Sequence, residues 1–338
     1  MSDVAREANV NTSTVSRVLS NRTEGFSVKP EVRQRIMAAA KKLAYRPNPV
    51  LRSLRAERTN MVALLGVTPG NPNPGINELA VRGLVTHLNN AGYDVCTSFF
   101  SKTHQPFELP PWRVDAAVLV GAFDPSHLRH VEEHGQLYVS INGEVGPNGS
   151  SIQADDAQGT RLVIDHLVDL GHQRIAYVNS SRLPEHNRPV THRSIAIREN
   201  AYIEALRERG LEPSPGHDER NLPDEQRLAQ AIERGATAIL AYDHVQAIRL
   251  MRIAHARGWR IPDDFSLAAF NNVFPVDELT PPLTTVHLPA DAMGEAAAQM
   301  LLRQLEEGDQ VPPAHEHLNL QEDLVVRAST APVDARGL

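Results

Sequence analysis

Past residue 60 the chain alternates short apolar runs with amphipathic segments, and no other feature restricts its fold as tightly. The runs are MVALLGV (61–67), AAVLV (116–120), LYVSI (137–141), IAYV (175–178), AILAY (238–242) and FSLAAF (265–270). Each is short and apolar on successive residues, so each reads as a strand buried on both faces. Five helical segments stop at a glycine one residue past the last turn: Gly92, Gly171, Gly210, Gly258 and Gly308. A residue with left-handed backbone closes a helix there. Buried strands alternating with helices predict an α/β fold of parallel sheets with helices on both faces. Roughly 270 residues of such alternation exceed one doubly wound domain and suit two lobes.

The first 60 residues follow another plan. They hold 12 Lys+Arg against 5 Asp+Glu, whereas the remaining 278 hold 22 against 36. A basic head on an acidic body predicts a polyanionic partner for the head alone. Charge balance by itself leaves open a merely solvated face. In DVAREANVNTSTVSRVLSN, Val4, Ala5 and Ala8 sit at helical spacing, and so do Val15, Val18 and Leu19. Between them, Asn9 tolerates the left-handed backbone of a tight turn, and Asn11 suits the N-cap of a second helix. Ser2 is available to cap the first. A third helix starts at Pro30, with Val32, Ile36, Ala39 and Leu43 as its core stripe. This is an all-α helix-turn-helix plan.

Opposite Val15, Val18 and Leu19, the second helix carries Thr12, Ser13, Ser16 and Arg17. Short hydroxyls and one long cation suit a helix lying in a DNA major groove, where Arg17 can fork to a guanine edge. Asn11, Thr14, Ser16 and Asn21 are placed to donate to phosphates near the helix ends.

DVAREANVNTSTVSRVLSN, VKPEVRQRIMAAAKKLAYRPN and RSLR together resemble the LacI/GalR family of bacterial repressors. GTRLVIDHLVDLGHQRIAYV (159–178), RGWRIPDDFSLAAFNN (257–272) and TPPLTTVHLPADAMGEAAAQMLL (280–302) resemble that family's periplasmic-binding-protein-like effector domain. The resemblance implies two lobes joined by crossing strands, a small ligand in the cleft, and a chain that returns to the first lobe near 287–315. It also implies a homodimer whose two heads read the halves of a near-palindromic operator in double-stranded DNA. A small-molecule effector, of sugar type in most of the family, changes that affinity. Carried over residue by residue, the effector candidates are Arg198, Asn271, Asn142, Tyr242 and Ile76. Arg198 matches the arginine that clamps ligand hydroxyls or carboxylates, and Asn271 stands where an acidic residue is usual. His172 and Asp263 fall in the matching stretches as turn and cap residues. Two segments depart from the family: SKTHQPFELPPWRVD holds three prolines where a helix is expected, and HDERNLPDEQ replaces a stretch that often carries a stacking aromatic.

The segment YRPNPVLRSLR joins the two parts. Asn48 precedes a proline and is pushed to extended backbone, which suits an N-cap, and Pro49 then occupies the first helical position. A helix from about Pro49 to Glu57 is shorter than the ~12–15 residues a free helix needs. In the family such a hinge helix folds on DNA. Leu54 then matches a leucine that wedges between base steps, with Arg52 and Arg55 facing phosphates. Pro49 and Leu51 stand where relatives usually have small residues.

The expected organisation is a head at 1–46, a hinge at 47–60, an effector and dimerisation domain at 61–330 and a tail at 331–338. The two lobes are expected at 61–154 with 287–315, and 155–284 with 318–330. No nucleophile elbow, phosphate loop or dinucleotide fingerprint occurs, so catalysis and cofactors are not expected. His315-Glu316-His317 reads as a charged terminal strand, and Asp155-Asp156 as a strand-to-helix turn with an N-cap. Cys96 is the only cysteine and forms no internal disulfide. No apolar run approaches the ~18–20 residues that span a bilayer; with an opening that lacks a secretory apolar stretch, this predicts a cytoplasmic protein. The alternative functions are a solute-binding protein without a DNA role, a corepressor-dependent regulator of nucleoside or other metabolism, and a sugar-converting enzyme.

Overall fold

The computed structural model describes residues 1–19, 28–45, 58–66, 75–97, 114–121, 125–179, 192–213, 222–307 and 315–333. The chain forms two units, Met1–Asn60 and Met61–Leu338.

Among the described residues the first unit holds three helices: α1 (Ser2–Ala8), α2 (Thr12–Leu19) and α3 (Pro30–Lys42). Met1, not Ser2, precedes α1 as its cap, with no side-chain cap bond. Asn9 closes α1 in the left-handed conformation, at φ 52 and ψ 54, and its N–H reaches the Arg6 carbonyl. Asn11 stands just before α2, and its carbonyl accepts from Thr14 and Val15. Val4, Ala5, Ala8, Val15, Val18, Ile36 and Ala39 form the buried core. Pro30 opens α3, as its fixed φ favours.

Among the described residues the second unit holds two sheets. The first runs β10-β5-β4-β3-β1-β2, from β1 (Met61–Leu65), β2 (Asp94–Thr97), β3 (Ala116–Val120), β4 (Tyr138–Ile141), β5 (Ser150–Ala154) and β10 (His317–Leu320), all parallel. The second runs β11-β9-β8-β7-β6, from β6 (Ile175–Val178), β7 (Ala238–Ala241), β8 (Ser266–Phe270), β9 (Thr284–His287) and β11 (Asp323–Val325). Only β11 is antiparallel there, pairing Leu324 with Val286. Val62 and Leu64 face one apolar cluster, and Ala63 and Leu65 another. That two-sided burial is why β1 reads as an unbroken apolar run.

Helices α4 (Ile76–Asn90), α5 (Pro125–Glu133) and α10 (Ala290–Glu307) belong to the first lobe. Helices α6 (Asp156–Asp169), α7 (Ser194–Glu208), α8 (Asp224–Glu233) and α9 (His244–Arg257) belong to the second. α4 and α10 cross at backbone contact: a methyl group at Gly83 would strike the Asp291 carbonyl, and one at Gly294 the Ala80 carbonyl. Gly92, Gly171, Gly210 and Gly258 all have positive φ, as predicted for helix ends; Gly308 lies outside the described residues.

The chain passes between lobes three times: after β5 into α6, after β9 into α10, and through Gln321-Glu322 between β10 and β11. The expected division assigned 318–330 wholly to the second lobe. That is corrected at 318–320, which lie in the first sheet: β10 pairs with β5, Leu318 beside Ile152. A four-residue strand with two exposed members carries too little pattern to show which sheet edge it joins. Strands β2, β5 and β9 were also absent from the apolar runs because Asp94, Ser150, Ser151, Gln153, Thr284 and Thr285 interrupt them. Residues 331–333, expected as tail, are tied to the second lobe. The Val333 N–H donates to Leu170, and the Ala331 carbonyl lies 3.2 Å from His172 Nε2. His172 itself is fully buried, with Thr237 and Ser266 hydroxyls at its two nitrogens, so its role is structural, in the core rather than in a turn. Asp263 is exposed and pairs with Arg260. The proline-rich 101–113 and the HDERN stretch 217–221 lie outside the described residues.

Candidate functional site

In the head, Thr12, Ser13 and Arg17 are exposed on α2, with Ser16 and Thr14 half-buried beside them. Val15 and Val18 anchor the opposite face in the core. The same helix thus spends its apolar side on folding and leaves hydroxyls and a guanidinium outward, as an element entering a groove requires. Asn11 is exposed at the mouth of α2. Asn21, Arg52, Leu54 and Arg55 lie outside the described residues.

In the second unit, polar groups gather where strands end. Gly66 after β1, Gly121 after β3, Asn142 after β4 and Asn271 after β8 all have positive φ, at 87, 72, 52 and 73°. Left-handed backbone at these carboxyl ends turns the chain sharply, and it is there that open α/β sheets bind ligands. Asn is the non-glycine residue that adopts this conformation most readily. Asn142 and Asn271 therefore have a backbone reason for their identity beside any ligand role.

Arg198, on α7, is 3% exposed. Its Nε donates to Asp156 Oδ1 at 2.6 Å and its Nη1 to the Tyr242 carbonyl at 2.8 Å. The Phe270 ring covers the guanidinium at 3.8 Å and Tyr242 lies at 5.1 Å. Burial alone would lower the Arg198 pKa, but Asp156, Tyr242 and Glu322 more than offset it, so the guanidinium stays charged. A hydrogen-bonded line then runs across the lobes. Tyr242 Oη lies 2.8 Å from Ser194 Oγ, which lies 2.7 Å from His192 Nδ1, and His192 Nε2 donates to the Asn142 carbonyl at 2.7 Å. The Ser194 N–H also reaches His192 Nδ1, which makes Nδ1 the acceptor and Nε2–H the donor. Burial holds His192 below its usual pKa, in keeping with a neutral ring.

Glu322, on the third crossing, is 1% exposed, and among the described residues neither carboxyl oxygen has a hydrogen-bond partner. Burial first, then Asp156, push its pKa up to about 8 against the pull of Arg198. The carboxyl lies against Gly159 of α6, where an added methyl would displace it. Its backbone is pinned from both sides by Gln158, whose Oε1 accepts from the Glu322 N–H and whose Nε2 donates to the carbonyl.

The structure brings Arg198, Tyr242 and Asn142 into one network. Ile76, the first residue of α4, instead packs its side chain into the apolar core. Asn271 follows Phe270 at the carboxyl end of β8. Asp155 is an N-cap as expected, accepting from Gln158 N–H at 3.0 Å, but Asp156 is the 3%-exposed partner of Arg198. Local pattern does not mark Asp156, His192, Ser194, Phe270 or Glu322 as site residues. Only the doubled acid before α6 hinted at one of them. His317, by contrast, lies on β10 with Nδ1 3.0 Å from Ser151 Oγ, and Glu316 pairs with Arg303.

Comparison with known proteins accounts for both units. Residues 1–48 match the family model of bacterial regulatory proteins, lacI family, and residues 164–330 that of the periplasmic binding protein-like domain. The HTH-type transcriptional regulator DegA of Bacillus subtilis (strain 168) is 29% identical over 353 residues, covering 98% of each chain. The ribose operon repressor of Halalkalibacterium halodurans is 29% identical over 315 residues, covering 90% of this chain and 89% of that one. Among solved structures, the Lac repressor dimer bound to operator and the anti-inducer ONPF superposes with a TM-score of 0.76. It is 22% identical and covers 97% of this chain and 98% of its own. With the head matched at its helix-turn-helix and the two-lobed unit at its ligand-binding fold, the chain belongs to the LacI family of bacterial regulatory proteins.

Proposed function

We propose that the protein is a ligand-responsive repressor of transcription in the bacterial cytoplasm. It binds a near-palindromic operator as a homodimer through α2 and the hinge segment 47–60. A small uncatalysed ligand, of the sugar type or a related metabolite, occupies the interlobe cleft and changes DNA affinity. Arg198, Tyr242, Asn142 and Asn271 line that cleft, and Ile76 backs it from the core. The observation that carries the proposal is the pairing, in one chain, of an outward hydroxyl-and-arginine helix face with a separately cored unit whose polar network is built by both lobes. No helix among the described residues is long and apolar enough to cross a membrane. The head explains DNA attraction through its charge, and coupling follows if ligand prefers one relation of the lobes, a bias typically worth ~1–3 kcal/mol.

The test is a gel shift of purified full-length protein on the intergenic DNA upstream of its own gene, repeated over salt and a panel of sugars and nucleosides. We expect a shifted band that weakens steeply with salt and responds to at least one ligand. Ligand binding with no salt-sensitive DNA complex on any palindrome would replace the repressor with a solute-binding protein. A band strengthened by ligand would make the regulator corepressor-dependent.

A further inference from the structure

Resting on the cleft as effector site, we propose that it takes an uncharged, hydroxyl-bearing ligand, rejects phosphorylated and carboxylated ones, and owes that choice to Asp156. Arginine in a pocket is ordinarily an anion hook, because its planar fork matches carboxylate and phosphate. Here the hook is already closed. Asp156 Oδ1 holds Nε at 2.6 Å, the Tyr242 carbonyl holds Nη1 at 2.8 Å, and Phe270 covers one face. Both members of the ion pair are buried, so little solvent is present to dilute the carboxylate.

A second acid stands behind the first. Glu322 is buried near Asp156 with no hydrogen-bond partner among the described residues for either oxygen. The described groups that face Arg198 therefore sum to one cation, one carboxylate and one further carboxyl. The phenols of Tyr242 and Tyr177 and a neutral His192 add no charge; burial drives both phenol pKa values up. Arg193, at the start of α7, is only half-buried, and solvent screens its field. An incoming phosphate or carboxylate would put like charge beside Asp156 in a poorly solvated site and would compete with it for the guanidinium. A hydroxyl meets no such penalty: it accepts from the remaining Arg198 N–H groups and donates to the carboxyl oxygens. Discrimination thus comes from repulsion of the wrong ligand as much as attraction of the right one.

The experiment is isothermal titration of the full-length protein with matched pairs: ribose and ribose 5-phosphate, glucose and glucose 6-phosphate, glucose and glucuronate, adenosine and AMP. We expect at least one uncharged member to bind, and its anionic counterpart to bind at least tenfold more weakly. In Asp156→Asn, which keeps the side chain's size and removes its charge, that gap should narrow at least tenfold through gained affinity for the anion. At pH 9, above its pKa of about 8, the Glu322 carboxyl is charged, so there Glu322→Gln should narrow the gap in the same direction, which tests the charge argument even if Asp156→Asn fails to fold. A wild-type gap under tenfold, or a gap unchanged in every folded variant, overturns the proposal. A panel in which nothing binds overturns the cleft reading beneath it, while binding of anions alone overturns only this one.

Discussion

Glu322 shows how one side chain can tie stability to pH. In the folded protein its pKa is pushed up to about 8, above the ordinary 4.5. The stability associated with its proton is therefore fully present below about pH 4.5 and is lost as pH rises to about 8. Glu322→Gln keeps the shape and removes the titration, so the melting temperature of the variant should stay roughly 3–6 °C flatter across pH 5–8 than that of the wild type. Parallel profiles would show that Glu322 is solvated. Arg198 tests the neighbouring pair. Arg198→Ala strands the Asp156 carboxylate without its guanidinium, and breaking a buried pair in that way costs about 3–5 kcal/mol. Urea unfolding should show the loss even without ligand, and adding Asp156→Asn should restore much of it. None of this was legible from Asp156 or Glu322 as letters. Asp156 follows an N-cap and Glu322 precedes a short strand, and both positions are usually solvated.

At the scale of elements, the helix pair α4 and α10 and the recognition helix α2 make opposite demands. α4 and α10 touch through Gly83 and Gly294. Gly294→Ala places a methyl against the Ala80 carbonyl, which backbone cannot yield without parting the helices. We expect a loss of about 1–3 kcal/mol in thermal unfolding of the second unit. In α2 the demand is on the outer face. Arg17→Ala should cost about 1–3 kcal/mol in operator binding and relax preference at one base pair, measured against operators substituted at each position. Leu54→Ala in the hinge segment should weaken specific DNA binding and DNA bending while leaving ligand binding unchanged; intact bending would remove the wedge. α2 was legible in advance because Val15, Val18, Ser13 and Arg17 divide cleanly by helical period. The α4–α10 contact was not, since a glycine within a helix does not announce which helix it faces.

For the whole molecule, the two units carry separate cores. Among its described residues the head buries seven apolar side chains in its own cluster, and small units leave a larger share of surface exposed. Differential scanning calorimetry should therefore resolve a low-temperature transition for the head and a higher one for the second unit. Operator DNA should raise the first and a cleft ligand the second, as binding to the folded state alone requires. A single transition moved equally by both would show the units to be one cooperative body.

Periodicity by itself determined the helix-turn-helix head, the alternation of β and α, six of the strands and the glycines that end helices, because each is a local pattern dictated by its own neighbours. Tertiary structure decided what those patterns do not encode. It placed β10 in the first sheet, closed Arg198 with Asp156, aimed His192 at the Asn142 carbonyl across the lobes and buried Glu322 on the third crossing. Each of these joins residues dozens to hundreds of positions apart or depends on which groups solvent is kept from, and charge and burial of that kind exist only once the chain has packed.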